Sequence, residues 1–132
     1  MKQALAALID DIGDVAFSVE PSLLRRRSRD YFWYSQALAE DLRGKQADIV
    51  VTPRSEAEVV RVAAACARRR VPMTPRGGGT GNYGQCVPLR GGVVLDMSRK
   101  IEMHMPSDRP GMLMRNRLLA LLKAQGETEI PR

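Results

Sequence analysis

The residues best suited to chemistry lie together in one run: Pro75-Arg76-Gly77-Gly78-Gly79-Thr80-Gly81-Asn82-Tyr83-Gly84-Gln85-Cys86-Val87-Pro88-Leu89-Arg90-Gly91-Gly92. Consecutive glycines carry a conformational-entropy cost. A chain keeps them where its backbone must approach something closely or turn through positive φ. Successive N–H groups freed of side chains can curl into a concave nest for an anion. Arg76 sets a cation with forked geometry beside that nest, and Thr80 adds a hydroxyl donor. The chemistry on offer is the holding of an oxyanion such as a diphosphate. Paired carboxylates and an activated nucleophile are not in evidence, so no catalytic residue is assigned.

Two familiar phosphate-binding motifs are excluded by context. Gly79, Gly81 and Gly84 match G-x-G-x-x-G, but that fingerprint must open a helix whose N-terminus faces the phosphates. Here Pro88, Gly91 and Gly92 follow and would stop one. A P-loop needs Gly-Lys-Ser or Gly-Lys-Thr, whereas Gly81 is followed by Asn82. What fits is a nest between two strands in which backbone amides hold the anion. A plain surface loop would need neither an arginine ahead of the glycines nor apolar strands on both sides.

The elements that must position this loop are legible from periodicity. Leu5, Leu8, Ile9 and Ile12 share a helical face over residues 3–12, which Gly13 ends. Pro21 suits the first turn of a second short helix running into Arg25-Arg26-Arg27. Residues 30–42, with the cluster Tyr31, Phe32, Trp33 and Tyr34, give no clear period. Residues 47–52 read as a buried strand. Ser55 and Glu58 then form a capping box for a helix with Val59, Val62, Ala63 and Cys66 on one face and Arg68, Arg69 and Arg70 at its carbonyl end. Short strands follow at 71–75 and 93–96. The tail holds a polar connection at 106–111 and an amphipathic helix at 113–124 with Gly126 after it. The expected fold is α+β: an α/β-type subdomain with a small parallel β-α-β sheet and flanking helices. Three regions are expected: N-terminal and helical (1–45), sheet and glycine loop (46–100), and C-terminal tail (101–132).

A chain of 132 residues with 44% hydrophobic and 27% charged residues has the balance of one soluble globular domain rather than a disordered chain. The net charge of +6 favours anionic partners. The arginine runs could contact nucleic acid, but few aromatics and no binding motif accompany them, so a solvated surface is preferred. Cys66 and Cys86 form no CxxC pair and, with His104, no zinc set. Cys86, beside the loop, reads as a packed small side chain rather than a reactive thiol. No basic leader and no apolar stretch of membrane-spanning length is present, so a cytoplasmic protein without a membrane span is expected.

Pro53, the Ser55-to-Glu58 helix start, Val71-Pro72, the Arg76-to-Gly81 run, Gly84-Gln85, Pro88 and Gly91-Gly92-Val93-Val94-Leu95-Asp96 together resemble a known family. It is the FAD-binding domain of the p-cresol methylhydroxylase/vanillyl-alcohol oxidase (PCMH) type, in its glycolate oxidase and D-lactate dehydrogenase branch. The resemblance covers residues 30–98 and corresponds to the first half of that domain. It implies FAD held between two subdomains, with Arg76, Gly77, Gly78, Gly79, Thr80 and Gly81 around the diphosphate. Gly84, Gln85 and Pro88 would lie along the cofactor. Some members bind flavin covalently through a histidine directly after the glycines. Thr80 stands there, which implies non-covalent FAD. Members oxidise alcohols or 2-hydroxy acids by hydride transfer to the flavin.

The family's second subdomain and substrate cap find no counterpart, and the pattern fades after Met97-Ser98-Arg99. The expectation is therefore a truncated or frameshifted member of an FAD-linked oxidoreductase family, inactive alone. The alternatives are a non-catalytic subunit completed by a second polypeptide or by self-association, and a basic nucleic-acid-binding module. In a truncated member the strand at 93–96 would risk having no partner.

Overall fold

The runs at Ile49–Val51 and Val93–Asp96 are short, rich in β-branched residues and buried throughout, as central parallel strands covered on both faces must be. In the computed structural model, which describes residues 2–32 and 35–98, they form the middle of a four-stranded sheet. The elements run α1 (Lys2–Ile12), β1 (Phe17–Ser18), α2 (Pro21–Arg27), α3 (Gln36–Asp41), β2 (Ile49–Val51), α4 (Glu56–Arg69), β3 (Met73–Arg76) and β4 (Val93–Asp96). The strand order is β1-β2-β4-β3. Ile49 of β2 and Met73 of β3 both register against Val93 of β4, in parallel. β1 adds an antiparallel edge to β2.

This order corrects one expectation. β4 is not short of partners: it pairs on both sides, and β2 and β3 are neighbours only through it. The β2–α4–β3 unit remains parallel but leaves a slot that β4 fills. β1 and α3 are the elements that periodicity did not reveal. β1 has two residues and α3 six with none buried, too short and too exposed to print a pattern.

The period-two alternation of the strands sorts the core into two layers. Ile49, Val51, Val93 and Leu95 pack with Leu8 and Ile12 of α1 and Val59, Val62, Ala65 and Cys66 of α4. Val50 and Val94 face the other way, onto Leu24 of α2 and Ala47. The sheet is thus covered by α1 and α4 on one face and by α2 on the other. Burial pushes the Cys66 thiol up to about 11, in keeping with a small core residue.

α4 starts at Ser55, whose Oγ accepts from Glu58 N at 3.3 Å. The Glu58 carboxylate reaches back to Arg54 N at 2.6 Å rather than to Ser55 N, a capping box displaced by one residue. At the other end Arg69 makes two bonds to the Asp11 carboxylate, at 2.8 and 2.9 Å. Arg68 stands 3.6 Å from the same carboxylate. That arginine run therefore ties α4 to α1.

Between β3 and β4 the chain crosses from the carboxyl edge of the sheet to its amino edge through residues 77–92, with no helix. Gly92 closes the return. Its N donates to Asp48 Oδ2 at 2.6 Å while its O accepts from Asp48 N at 2.8 Å. Its φ is +79°, and a Cβ there would overlap the Pro72 carbonyl oxygen. Only glycine fits.

No helix among the described residues is long and apolar enough to cross a membrane. The expected tail connection, the helix at 113–124, His104, Trp33 and Tyr34 lie outside the described residues.

Candidate functional site

The loop leaves β3 at Arg76 and divides into two halves with different hydrogen bonding. In the second half the amides are committed to protein. Tyr83 N donates to Gln85 Oε1 at 3.1 Å, and Gly84 N and Cys86 N donate to the two Asp30 carboxylate oxygens at 2.8 and 3.1 Å. Val87 N donates to Gly84 O at 3.0 Å. In the first half, the amides of Gly77, Gly78, Gly79, Thr80, Gly81 and Asn82 have no acceptor among the described residues. Backbone donors in folded proteins find partners in protein, water or ligand. A consecutive row of donors without protein partners is what an oxyanion needs.

The glycines of the first half carry the same message. Gly77 has negative φ and nothing within 4 Å of where a Cβ would stand. At Gly78 a Cβ would make only ordinary contact with Thr80 Cγ2, at 3.5 Å. Neither φ nor internal packing demands glycine at these two positions. Close approach of something outside the chain is the remaining physical reason for them. The next residue differs: Gly79 has φ +68°, and a Cβ on it would overlap the Arg76 guanidinium.

Arg76 was expected to offer its fork to the anion directly. The structure turns it inward. It is 4% exposed, and its Nη1 donates to the carbonyls of Arg29 at 2.6 Å and Arg27 at 3.4 Å. Its Nε is buried without a hydrogen-bond partner, and no carboxylate lies within ion-pair distance of it among the described residues. The guanidinium is therefore a buried positive charge directly behind the amide row. There it acts as a brace and as a fixed source of positive potential.

The segment after α2 supplies the rest of the support. Tyr31 N donates to Gly79 O at 2.5 Å, and Asp30, 3% exposed, takes the two amides described above. Ser28 Oγ accepts from Ala47 N at 2.9 Å. Arg27 Nε lies 2.9 Å from Asp96 Oδ2 at the end of β4. That contact is ionic rather than a hydrogen bond, since Nε is off the bonding line. Residues 27–31 thus hold the glycine loop at Gly79, Gly84 and Cys86 and its leading Arg76 through two carbonyls. No sequence pattern linked Asp30 to Gly84 across 54 residues. The only available signal was a lone acid in an arginine-rich stretch.

The remaining expected site residues fall in two groups. Thr80 is exposed and Gly81 half-buried in the row, with the Gln85 side chain folded over Gly81. Gly84 and Pro88 belong to the structural half: Gly84 has φ +80° against Leu42, and Pro88 is fully buried. Cys86 is buried, and its thiol is raised first by desolvation and then by its hydrogen bond with Asp30, so it is not a ready nucleophile. No group of His, Cys, Asp or Glu among the described residues could hold a metal. A cavity of about 430 Å³ lies against residues 28–32, but no glycine of the loop lines it. The amide row is marked by its unassigned donors, not by depth.

Residues 47–113, about half of the chain, match the model of a family described as the FAD binding domain. The chain belongs to the FAD binding domain family. FAD is accordingly its cofactor, and the amides of residues 77–82 have the donor chemistry that a diphosphate needs. Among curated relatives the chain is 45% identical over 51 residues to the D-lactate dehydrogenase [cytochrome], mitochondrial, of Arabidopsis thaliana, covering 39% of this chain and 9% of the relative. It is also 45% identical over 51 residues to glycolate oxidase subunit GlcD of Escherichia coli (strain K12), covering 39% and 10%. To a probable mitochondrial D-lactate dehydrogenase of Danio rerio it is 36% identical over 90 residues, covering 68% and 16%. The chain spans about a tenth of the length of the first two. A solved alkyldihydroxyacetonephosphate synthase shares the fold, with a TM-score of 0.58 and 21% identity over 75% of this chain and 21% of that one.

Proposed function

We propose that this FAD-binding chain is the diphosphate-holding part of an FAD-linked oxidoreductase that acts on 2-hydroxy acids or alcohols, and that its FAD is bound non-covalently. The observation that carries the reading is the row of amides at residues 77–82 without an acceptor among the described residues. Gly77, Gly78, Gly79, Thr80 and Gly81 contact the diphosphate through backbone N–H groups, with the Thr80 hydroxyl as a further donor. Arg76 works from behind, its buried charge favouring the dianion without a direct bond. Gly84, Gln85 and Pro88 shape the turn that follows. When bound, FAD supplies the hydride-accepting chemistry.

The names of the relatives, a D-lactate dehydrogenase and a glycolate oxidase subunit, support 2-hydroxy acids as the substrate class. Thr80 cannot carry a flavin covalently as a histidine can, which supports the non-covalent mode. The substrate side of the flavin would come from further protein, whether a second polypeptide or another copy of this chain. A cytoplasmic location goes with the same reading, and the organisation proposed is a helical segment at 1–45, the FAD subdomain at 46–100 and a tail at 101–132.

Titration of the purified full chain with FAD, followed in the visible flavin band, tests the proposal. A saturable spectral change that reverses on removing free flavin by denaturation and gel filtration is expected. Absence of any saturable change contradicts the FAD site, and flavin that stays with the denatured chain contradicts the non-covalent mode.

A further inference from the structure

The cavity against residues 28–32 carries a separate message. Four cations converge on it from two parts of the chain: Arg25 and Arg29 from α2 and the turn after it, Arg43 and Lys45 from the turn after α3. Among the described residues Arg25, Arg29 and Lys45 have no carboxylate within ion-pair distance. Arg43 has only Glu40, at 3.3 Å, and both side chains are more than 70% exposed, a pair of little net strength. Like charges around one cleft repel each other, and the cleft focuses their field. The one acid in the lining, Asp30, directs its two oxygens to the amides of Gly84 and Cys86, and one acid against four cations leaves the rim with an excess of positive charge.

The cavity also has an apolar side. Tyr31 and Phe32 line it as an edge-to-face pair with ring centroids 5.4 Å apart. Both are well exposed, at 78% and 55%, unusual for adjacent aromatic side chains. A volume of about 430 Å³ is in the range of sites for small organic ligands and far larger than one inorganic anion. We infer that this cavity is a second binding site, for a small molecule with an aromatic body and a doubly charged oxyanion head. The head is held by forked guanidinium contacts and the body by the Tyr31–Phe32 pair. The inference rests on residues other than the amide row, since none of residues 77–82 lines the cavity, although Val87 of the same loop does.

The probe is 1-naphthyl phosphate, followed by its own fluorescence anisotropy with the full chain. Phthalate serves as a second arm for a carboxylate head, and inorganic phosphate and 1-naphthol as head-only and body-only controls. Saturable binding of a two-part probe, at least about tenfold tighter than either control, is expected. Charge reversal at Arg25→Glu with Lys45→Glu should weaken it by about tenfold or more, with helical circular dichroism unchanged because both side chains are exposed. Arg25→Gln with Lys45→Gln gives the same reading if the reversal perturbs folding. Gly78→Asp, and saturating FAD, should leave probe binding intact. No saturable binding of either two-part probe overturns the inference. So does binding that survives both charge variants, or binding that FAD displaces.

Discussion

The two halves of the glycine loop look alike in sequence and differ in what holds them. Gly84, Gly91 and Gly92 sit in the second half, all at positive φ, and the amides around them are bound by Asp30, Asp48 and the chain itself. Gly77 and Gly78 sit in the first half at negative φ, with room for a side chain and amides that no group among the described residues accepts. One set of glycines exists because the fold has no space or no conformation for anything else. The other is open and at ordinary φ, which suits the close approach of a bound group. Composition alone merges the two, and burial with hydrogen bonding separates them.

The comparison can be broken most severely at Gly92. Gly92→Ala forces a Cβ against the Pro72 carbonyl at φ +79°, and a loss of roughly 3 kcal/mol or more is expected. Denaturant unfolding should show a chain largely unfolded without denaturant. A native-like midpoint would mean the closing turn is not as tight as described.

Gly78→Asp acts on the other half. It places a carboxylate in the amide row, and FAD affinity should fall by about 100-fold or more, the scale of a like-charge juxtaposition. The thermal midpoint should barely move, since the position is open. Equal flavin affinity in a titration would refute the assignment of the row.

Asp30→Asn sits between the halves. The amide group can accept from one backbone N–H but presents a donor to the other, so Gly84 N or Cys86 N is left unpaired. Unfolding should show a loss of about 1–3 kcal/mol. Flavin affinity, measured well below the melting temperature, should fall as well, by about tenfold, because the clamp sets the shape of the row. A stability loss with unchanged affinity would show that the two halves are mechanically independent.

The smallest effect belongs to a site far from the loop. Hydrogen bonding to Arg69, aided by the nearby charges of Arg69 and Arg68, holds the Asp11 carboxyl below its ordinary value of 3.8, against a smaller opposing effect of desolvation. A folded-state value below the unfolded one stabilises the protein above the ordinary aspartate range, and that stabilisation is lost as pH falls through the folded value. Asp11→Asn should therefore be less stable than wild type at neutral pH, and the gap should close on acidification. FAD affinity should be identical in both at neutral pH. A gap that widens in acid would reverse the sign of the argument.

Much of this was legible in the residues themselves. The strands at β2 and β4, the faces of α1 and α4 and the Ser55 cap all follow from local periodicity and capping chemistry, which need no tertiary knowledge. The loop stood out because its glycines, Arg76 and flanking strands occur together. What stayed hidden was decided by long-range geometry. Arg76 ends a strand, and its inward turn onto the carbonyls of Arg27 and Arg29 depends on where α2 lies. Asp30 bonds to amides 54 residues away. The slot that β4 fills between β2 and β3 is a property of the sheet order, which the succession of elements along the chain does not determine.

Gly77→Ala tests the central claim most directly, with unfolding and FAD titration run on the same preparation. An open position at ordinary φ should tolerate alanine, and the smaller entropy of the unfolded chain should leave the protein as stable or up to about 1 kcal/mol more so. FAD should bind about tenfold more weakly or worse. A variant that loses stability yet binds FAD as before would show that Gly77 serves the fold and not the cofactor, contradicting the account.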